Sequence, residues 1–526
     1  MLGERLVRRT AIEARSAVEL RRAGLLAPMP PREALQVARA FRERGQLGAA
    51  ITAAALRHGE RPAIQDELGS LTFAELDRRS DALASALFER GLRGDGTVGL
   101  LCRNHRGLLD GVFAAAKLRA RLLLLNTDFA GPQLRDVCAR EGVSVLIHDR
   151  EYEQLVGEIE GGRLTEDMVE ELIAANLGRR PPVQRGNGAV ILLTSGTTGT
   201  PKGAPRGTAP TLHPLGALLS KVPYRAGEST YVAAPMFHGL GFTQAALAVM
   251  LGSTIVTHRR FVPERVLDRI DSDRPTGLVL VPVMLQRIVS LLEANPGRWS
   301  TDSLRVVFLS GAQLEAELVR RAHRAIGEKL YNFYGSTEVA WATFATPEDL
   351  REAPGTAGRP PFGTLVRLYD SDGRPAHDGP GRIFVGNGFQ FEGYTGGGGK
   401  EMIDGLMSTG DVGHFDGSGR LFIDGRDDDM IISGGENVFP AEVEELLLTH
   451  EAVEEASVIG VADADFGQRL KAFVVLRDGH SPTEPEIQEF IKANLARYKV
   501  PREVVFLPEL PRNPTGKVLK RELRAL

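Results

Sequence analysis

Cysteine is almost absent: the 526 residues hold two, Cys102 and Cys138. That is too few for a disulfide framework, and neither stands in a metal-ligand spacing. No apolar run approaches the roughly 18 residues that cross a bilayer. The first residues carry neither the apolar core nor the cleavage site of a secretory signal. A strong charge of one sign is missing too, and a formal net charge of −4 gives no electrostatic footing for nucleic acid. With 42% apolar and 25% charged residues, a multidomain cytoplasmic enzyme is expected.

Against this plain background one stretch stands out, LLTSGTTGTPKG at residues 192–203. Glycines let backbone N–H groups converge, hydroxyls add donors and a lysine adds charge, which together suit an anion. A Walker A loop needs Gly-Lys-Ser/Thr at its end. Here Lys202 follows Pro201 and precedes Gly203, so that reading fails while the phosphate-binding character remains.

Short β-type runs recur at 98–102, 122–125, 143–148, 190–193, 231–234, 254–257, 278–281 and 306–309. Helical patterns at 73–89, 107–118 and 263–271 lie between them. Nearly continuous apolar strands alternating with helices predict parallel sheets covered on both faces. Ligands collect at the carboxyl ends of such strands, and the Gly/Thr loop leaves the carboxyl end of 190–193. After about residue 360, Gly and Asp crowd the turns between short strands, which predicts an antiparallel, barrel-like unit. From Phe439 onward a helix at 441–450, strands at 456–461 and 471–476, a helix at 485–495 and a strand at 503–506 predict a compact α+β unit. Residues 1–44 hold ten arginines and five glutamates. They predict a helical extension packed on the body, with a membrane-surface helix as the alternative.

Further motifs follow the loop: Asn332-Phe333-Tyr334-Gly335-Ser336-Thr337-Glu338, Ser408-Thr409-Gly410-Asp411, Gly425-Arg426-Asp427-Asp428-Asp429, Ser433-Gly434-Gly435-Glu436-Asn437 and Pro511-Arg512-Asn513-Pro514-Thr515-Gly516-Lys517. In this order, over roughly residues 45–526, they resemble the adenylate-forming superfamily of acyl-CoA synthetases, luciferases and peptide-synthetase adenylation domains. The resemblance implies an α/β fold. A large N-terminal adenylation domain at 45–425 would hold two stacked parallel-sheet subdomains and a small β-barrel. A small mobile α+β domain at 426–526 would follow, with the extension at 1–44 in front.

Joining a carboxylate to ATP brings two anions together, so cations and oriented N–H donors must neutralise charge where it develops. The resemblance assigns Thr194, Ser195, Gly196, Thr197, Thr198, Gly199 and Lys202 to the β- and γ-phosphates. Tyr334 would offer its ring to adenine and Asn332 an amide to the exocyclic amine, with Gly335 and Ser336 beside them. Ser310, Gly311 and Ala312 would form the opposite wall. Thr337 would meet the α-phosphate, and Glu338 would hold Mg2+, a hard ion that takes oxygen ligands. Asp411 would accept both ribose hydroxyls, helped by Arg426. Lys517 would bridge the substrate carboxylate and the α-phosphate, and His238 would gate the acyl pocket.

Residues 433–440, SGGENVFP, resemble the acyl-CoA synthetase version of the last motifs. There Gly434 and Gly435 would let the pantetheine of CoA pass, and Asp428 would be the hinge of the small domain. Arg469, Lys471 and Lys499 would face CoA phosphates or solvent. After His238 the run GLGFTQAALAVMLG carries no charge, and no buried Asp is offered to an amino group. The expectation is an ATP-dependent fatty acid–CoA ligase that forms an acyl-adenylate and pyrophosphate, then passes the acyl group to CoA and releases AMP. Alternatives are an aryl acid–CoA ligase, an acyl-AMP ligase loading a carrier protein, a luciferase-like oxygenase, and a nucleotide-binding regulator. ATP, Mg2+ and coenzyme A are the expected co-substrates and cofactor. Membrane contact through residues 1–44 and a homodimer stay open. Asp404-Gly405-Leu406-Met407, where many fatty acyl relatives carry Asp-Gly-Trp, and the bare Gly396-Gly397-Gly398-Gly399-Lys400 are departures expected to loosen the sheet around Asp411.

Overall fold

The computed structural model describes residues 2–526 apart from 158, 160, 194–202, 207–210, 377, 378, 392, 396, 428, 434, 435, 464–466, 496 and 515. Strand Thr97–Leu101 is buried at every position, as an apolar strand must be when helices cover both faces of its sheet. It lies third in a six-stranded sheet of order Gly162–Thr165, Val143–His148, Thr97–Leu101, Arg121–Leu124, Val190–Leu193, Gly203–Arg206. Only the last pairing is antiparallel, and it sets Leu193 opposite Gly203. Helix Phe73–Glu89 covers part of this core. It begins at a capping box, with Thr72 N–H donating to the Glu75 carboxylate at 2.7 Å and Glu75 N–H to Thr72 Oγ1 at 3.2 Å. Such reciprocal caps satisfy donors that the first turn leaves open.

A second, eight-stranded sheet runs Thr343–Ala345, Leu330–Tyr334, Val306–Leu309, Gly277–Leu280, Ser229–Val232, Thr254–Val256, Pro62–Asp66, Gly69–Thr72. Its six inner strands are parallel and its two edge pairings antiparallel. The hairpin 62–72 and strand Leu330–Tyr334 were not resolved as strands from sequence. The hairpin mixes polar and apolar residues at a sheet edge, and the end of strand Leu330–Tyr334 overlaps the motif at 332–338. The third sheet is antiparallel and joins Leu365–Tyr369, Gly381–Gly386, Leu406–Phe415, Met402–Ile403 and Leu421–Arg426. The Asp404-Gly405 turn is firm: Tyr369 donates to the Asp404 carboxylate at 2.9 Å, and buried Leu406 packs with Tyr369 and Phe384. The departure from Trp therefore leaves the strand carrying Asp411 seated. The C-terminal unit holds a five-stranded sheet built on Val453–Asp463 and Gly467–Leu476, with helices Pro440–Leu448 and Glu484–Asn494.

Helix Leu2–Arg22 packs against helix His213–Leu219. Helix Pro31–His58 runs past residue 44, broken at Gly45, whose φ of 73° suits glycine alone. Among the described residues, no helix is long and apolar enough to cross a membrane. Asp149 meets Cys102 and His105, neighbours in sequence, in the core. Both ring nitrogens of His105 are engaged: Gly107 N–H donates to Nδ1 at 3.1 Å and Asp149 meets Nε2 at 2.7 Å. Here the histidine caps helix Arg106–Lys117.

Leu20, 1% exposed, ties the first helix to the second sheet's helices. Leu20→Ala is expected to cost about 3 kcal/mol by loss of burial and the cavity left behind, read as a lower urea midpoint. An unchanged midpoint would show that the helix is not part of the folded body.

Candidate active site

Three chain segments converge on one carboxylate. Tyr334 ends a parallel strand, and its hydroxyl donates to Asp411 Oδ2 at 2.6 Å. Asp411 pairs in register with Arg426 on the neighbouring antiparallel strand, and the guanidinium lies 3.6 Å from Oδ1. Burial raises the Asp411 carboxyl, opposed by the Tyr334 hydrogen bond and by the charges of Arg426, Lys517 and Lys400. Burial also pushes the Tyr334 phenol well up, with the Asp411 charge adding to it. This corner therefore presents a hydrogen-bonded carboxylate at the mouth of a cavity of about 2910 Å³.

Asn332, two residues upstream on the same strand, is buried, and its Oδ1 meets no hydrogen-bond partner among the described residues. An orphaned buried acceptor costs about 1–3 kcal/mol, so the pocket is suited to a ligand N–H such as an adenine amine. Past the strand end, Ser336 Oγ accepts from Glu338 N–H at 3.2 Å and Val339 N–H at 3.3 Å. This turn aims Glu338 at the cavity, where Tyr394 donates to Oε1 at 2.6 Å. An ionised carboxylate keeps further acceptor sites, so Glu338 fits a hard cation. Gly335, Thr337, Ser310, Gly311 and Ala312 line the same cavity.

The C-terminal unit reaches this site. Gly516 has φ +77°, and a Cβ there would lie 2.4 Å from Val283 Cγ1, so only glycine permits the approach. Asn513 Oδ1 accepts from Lys517 N–H at 2.9 Å, and Lys517 lines the cavity with Asp411 and Tyr334. Gln313 donates to Glu445 at 2.9 Å across the same junction. Asp427 N–H donates to Gly410 O at 3.0 Å, while Asp429 lies 3.8 Å from Lys520 and 3.9 Å from Arg524. Asp429 N–H still donates to Arg426 O at 3.2 Å, so it is the Asp429 carboxylate that faces the C-terminal end while Asp427 stays with the antiparallel sheet.

His238 follows strand Ser229–Val232 and precedes helix Gly239–Met250. Burial lowers it to about 4, so at neutral pH it is an uncharged wall rather than a proton donor. Its Nε2 is buried without a hydrogen-bond partner among the described residues. Beyond it, Phe308, Phe333, Trp341, Phe389 and the buried amide of Gln244 line the cavity.

Of the expected residues, Asn332, Tyr334, Thr337, Glu338, His238, Asp411, Arg426 and Lys517 are brought to one cavity. Thr194, Ser195, Gly196, Thr197, Thr198, Gly199, Lys202, Asp428, Gly434 and Gly435 lie outside the described residues. Lys471 pairs with Glu503 at 3.1 Å, Lys499 with Glu442 at 2.6 Å and Arg469 with Asp463 at 3.8 Å, so none is drawn to the cavity by its ion pair. Tyr394, Lys400 and Glu315 were missed. Tyr394 precedes and Lys400 ends the stretch read as bare, and Glu315 gains meaning only from what docks on it.

The family described as AMP-binding enzyme matches residues 51–395, and the AMP-binding enzyme C-terminal domain matches 442–517. Feruloyl-CoA synthase from an Amycolatopsis species is 36% identical over 483 residues, covering 90% of this chain and 95% of that protein. Indoleacetate–CoA ligase from Aromatoleum aromaticum is 33% identical, covering 87% and 93%. The solved o-succinylbenzoate CoA synthetase of Bacillus subtilis, in complex with its acyl-adenylate intermediate, superposes with a TM-score of 0.79 at 29% identity, covering 90% and 97%.

Glu315 supplies a pH test. Burial raises its carboxyl from 4.5 to about 8, helped by Glu445 and Glu444 of the docked unit. Lys520 lies 3.7 Å from Glu444 and Gln313 bonds Glu445. A raised carboxyl favours this docked arrangement below pH 4.5 and loses that favour as pH climbs through about 8. Glu315→Gln is therefore expected to flatten the decline of ATP–pyrophosphate exchange over that window. An unaltered pH profile would remove Glu315 from the docking balance.

Proposed function

We infer the activity from one premise: the chain belongs to the AMP-binding enzyme family, the adenylate-forming enzymes. It is an AMP-forming acid–CoA ligase that uses ATP, Mg2+ and coenzyme A. Within that class we propose that the acid is aromatic. The observation that carries this is the uncharged wall beyond His238, where the rings of Phe308, Phe333, Trp341 and Phe389 face one cavity. Trp341 and Phe389 lie 5.5 Å apart and Phe308 and Phe333 6.0 Å, spacings at which aromatic rings pack on one another. The names of the relatives, feruloyl-CoA synthase and indoleacetate–CoA ligase, support the same choice. It replaces the fatty acid that the bare apolar run after His238 suggested.

In the proposed reaction Asn332 and Tyr334 hold the adenine, Asp411 and Arg426 the ribose, and Thr337 with the loop at 194–202 the phosphates. Glu338 would hold Mg2+, which when bound neutralises phosphate charge. Lys517, which lines the same cavity, would bridge the acid's carboxylate and the α-phosphate. Its charge offsets their repulsion as the carboxylate oxygen attacks phosphorus and pyrophosphate leaves. His238, uncharged, closes the acid's side of the site and transfers no proton. For the second half-reaction the C-terminal unit would turn about Asp428, withdrawing Lys517 and presenting Gly434 and Gly435 to the pantetheine. The different partners of Asp427 and the Asp429 carboxylate support a pivot at that position.

A panel of benzoate, cinnamate, arylacetate and straight-chain acids, scored for AMP release with and without CoA, is expected to favour the aromatic members. Equal or better turnover of alkanoates would overturn the aryl reading. Lys517→Ala is expected to lose about 3 kcal/mol, on the order of a hundredfold, in adenylation. It should spare thioester formation from supplied acyl-adenylate. Parallel losses in both half-reactions would refute the division of labour.

A further inference from the structure

Arg426, Lys517 and Lys400 all act on the Asp411 carboxylate by their charge, yet the ordered motifs hold only the first two. Lys400 ends the stretch Gly396–Lys400 that reads as bare in the sequence. Its ammonium and the Arg426 guanidinium converge on the residue before Asp411. A Cβ built on Gly410 would lie 3.3 Å from Lys400 Nζ and 3.4 Å from Arg426 Nη2. Lys400 lines the cavity with Asp411 and Tyr334. It is half-buried and makes no hydrogen bond or ion pair with a described residue. Two cations drawn to one point repel. Negative charge beside them offsets this: that of Asp411, and that of a phosphate when a nucleotide is bound.

The chain on either side of Lys400 is held by the large N-terminal part. After it, Ser408 N–H donates to Glu401 O at 2.9 Å. Met402 and Ile403 then pair with Met407 and Leu406, on the strand that carries Asp411. Before it, Tyr394 donates to Glu338 at 2.6 Å and Thr395 N–H to Gly203 O at 2.9 Å. The Thr395 hydroxyl adds a bond to Glu141 at 2.6 Å. None of these partners lies in the C-terminal unit. Lys517 does lie in that unit, so a turn about Asp428 would carry Lys517 away and leave Lys400 beside Gly410.

We propose that Lys400 is a positioning residue of the nucleotide site, acting through Asp411 in both half-reactions, whereas Lys517 serves only the first. This rests on the adenylating reading above. A buried carboxylate stripped of a compensating charge is costly, and Asp411 must stay ionised to accept both ribose hydroxyls. Once Lys517 is withdrawn, Arg426 and Lys400 remain to balance it and to hold the AMP moiety in place for the thiol. A partly screened charge at this range contributes on the order of tenfold to affinity.

The test measures the dissociation constant of AMP, a probe that needs no acid, for Lys400→Met, Lys400→Gln and Lys400→Arg in the full chain. Each is made in the parent and in Lys517→Ala, which imitates withdrawal of the C-terminal lysine. Lys400→Met should weaken AMP about tenfold in both backgrounds. If it melts below the parent, Lys400→Gln takes its place. In ATP–pyrophosphate exchange the loss should fall mainly on the KM for ATP rather than on kcat. Lys400→Arg, which keeps the charge, should recover most of the affinity. Unchanged AMP binding in variants that melt normally would overturn the proposal, and so would equal weakening by Lys400→Arg. An effect that vanishes in Lys517→Ala would refute a role that outlasts the C-terminal lysine. A parent that binds no AMP would instead sink the adenylating reading, and the proposal with it.

Discussion

Burial of the Asp411 carboxylate is tolerable only because three separate parts of the chain supply its surroundings. Tyr334 comes from the end of a parallel strand, Arg426 from an antiparallel neighbour, and the Lys517 charge from the C-terminal loop. Leaving one member of a buried polar group uncompensated costs several kcal/mol. The relative placement of parallel sheet, antiparallel sheet and C-terminal unit is therefore an energetic requirement as well as a chemical one. The same residues that hold the fold's junction are those proposed to hold the nucleoside.

That junction is also where docking is most finely balanced. Gly516 approaches Val283 with no room for a side chain, while Glu315 is buried facing Glu444 and Glu445 without a hydrogen bond to its Oε2 among the described residues. Close packing favours contact and like charge opposes it. A unit proposed to leave after each adenylation would be served by a contact that is complementary in shape and imperfect in charge.

Much of the framework was legible in the sequence because its signals are local. Runs such as 98–102 and 306–309 are continuously apolar, and the strands Thr97–Leu101 and Val306–Leu309 follow them closely. Helix Phe73–Glu89 has its expected limits because Thr72 and Glu75 form a complete cap. In the C-terminal unit, helix Pro440–Leu448 begins one residue earlier than expected because proline suits the first turn. The residues proposed for the nucleotide stand in ordered motifs, and Asn332, Tyr334, Thr337, Glu338, Asp411, Arg426 and Lys517 line one cavity. What escaped depends on tertiary meeting. The Tyr394–Glu338 hydrogen bond joins residues 56 positions apart. The aromatic wall draws on residues from four segments whose meeting has no local signal, so the apolar run after His238 pointed instead to an alkyl chain. The packing of Leu20 and Leu25 against the cluster around Leu247 and Phe308 has no local signature, since any amphipathic helix would show the same pattern.

The pairing of Leu193 with Gly203 has a further consequence for the segment between them. The pair holds Leu193 and Gly203 together in the folded sheet, so the entropy of bringing these two points of the chain together is spent during folding. Closure entropy grows only with the logarithm of the separation, about 0.6 kcal/mol per doubling, so a change in the number of residues between the two strands should perturb the sheet little.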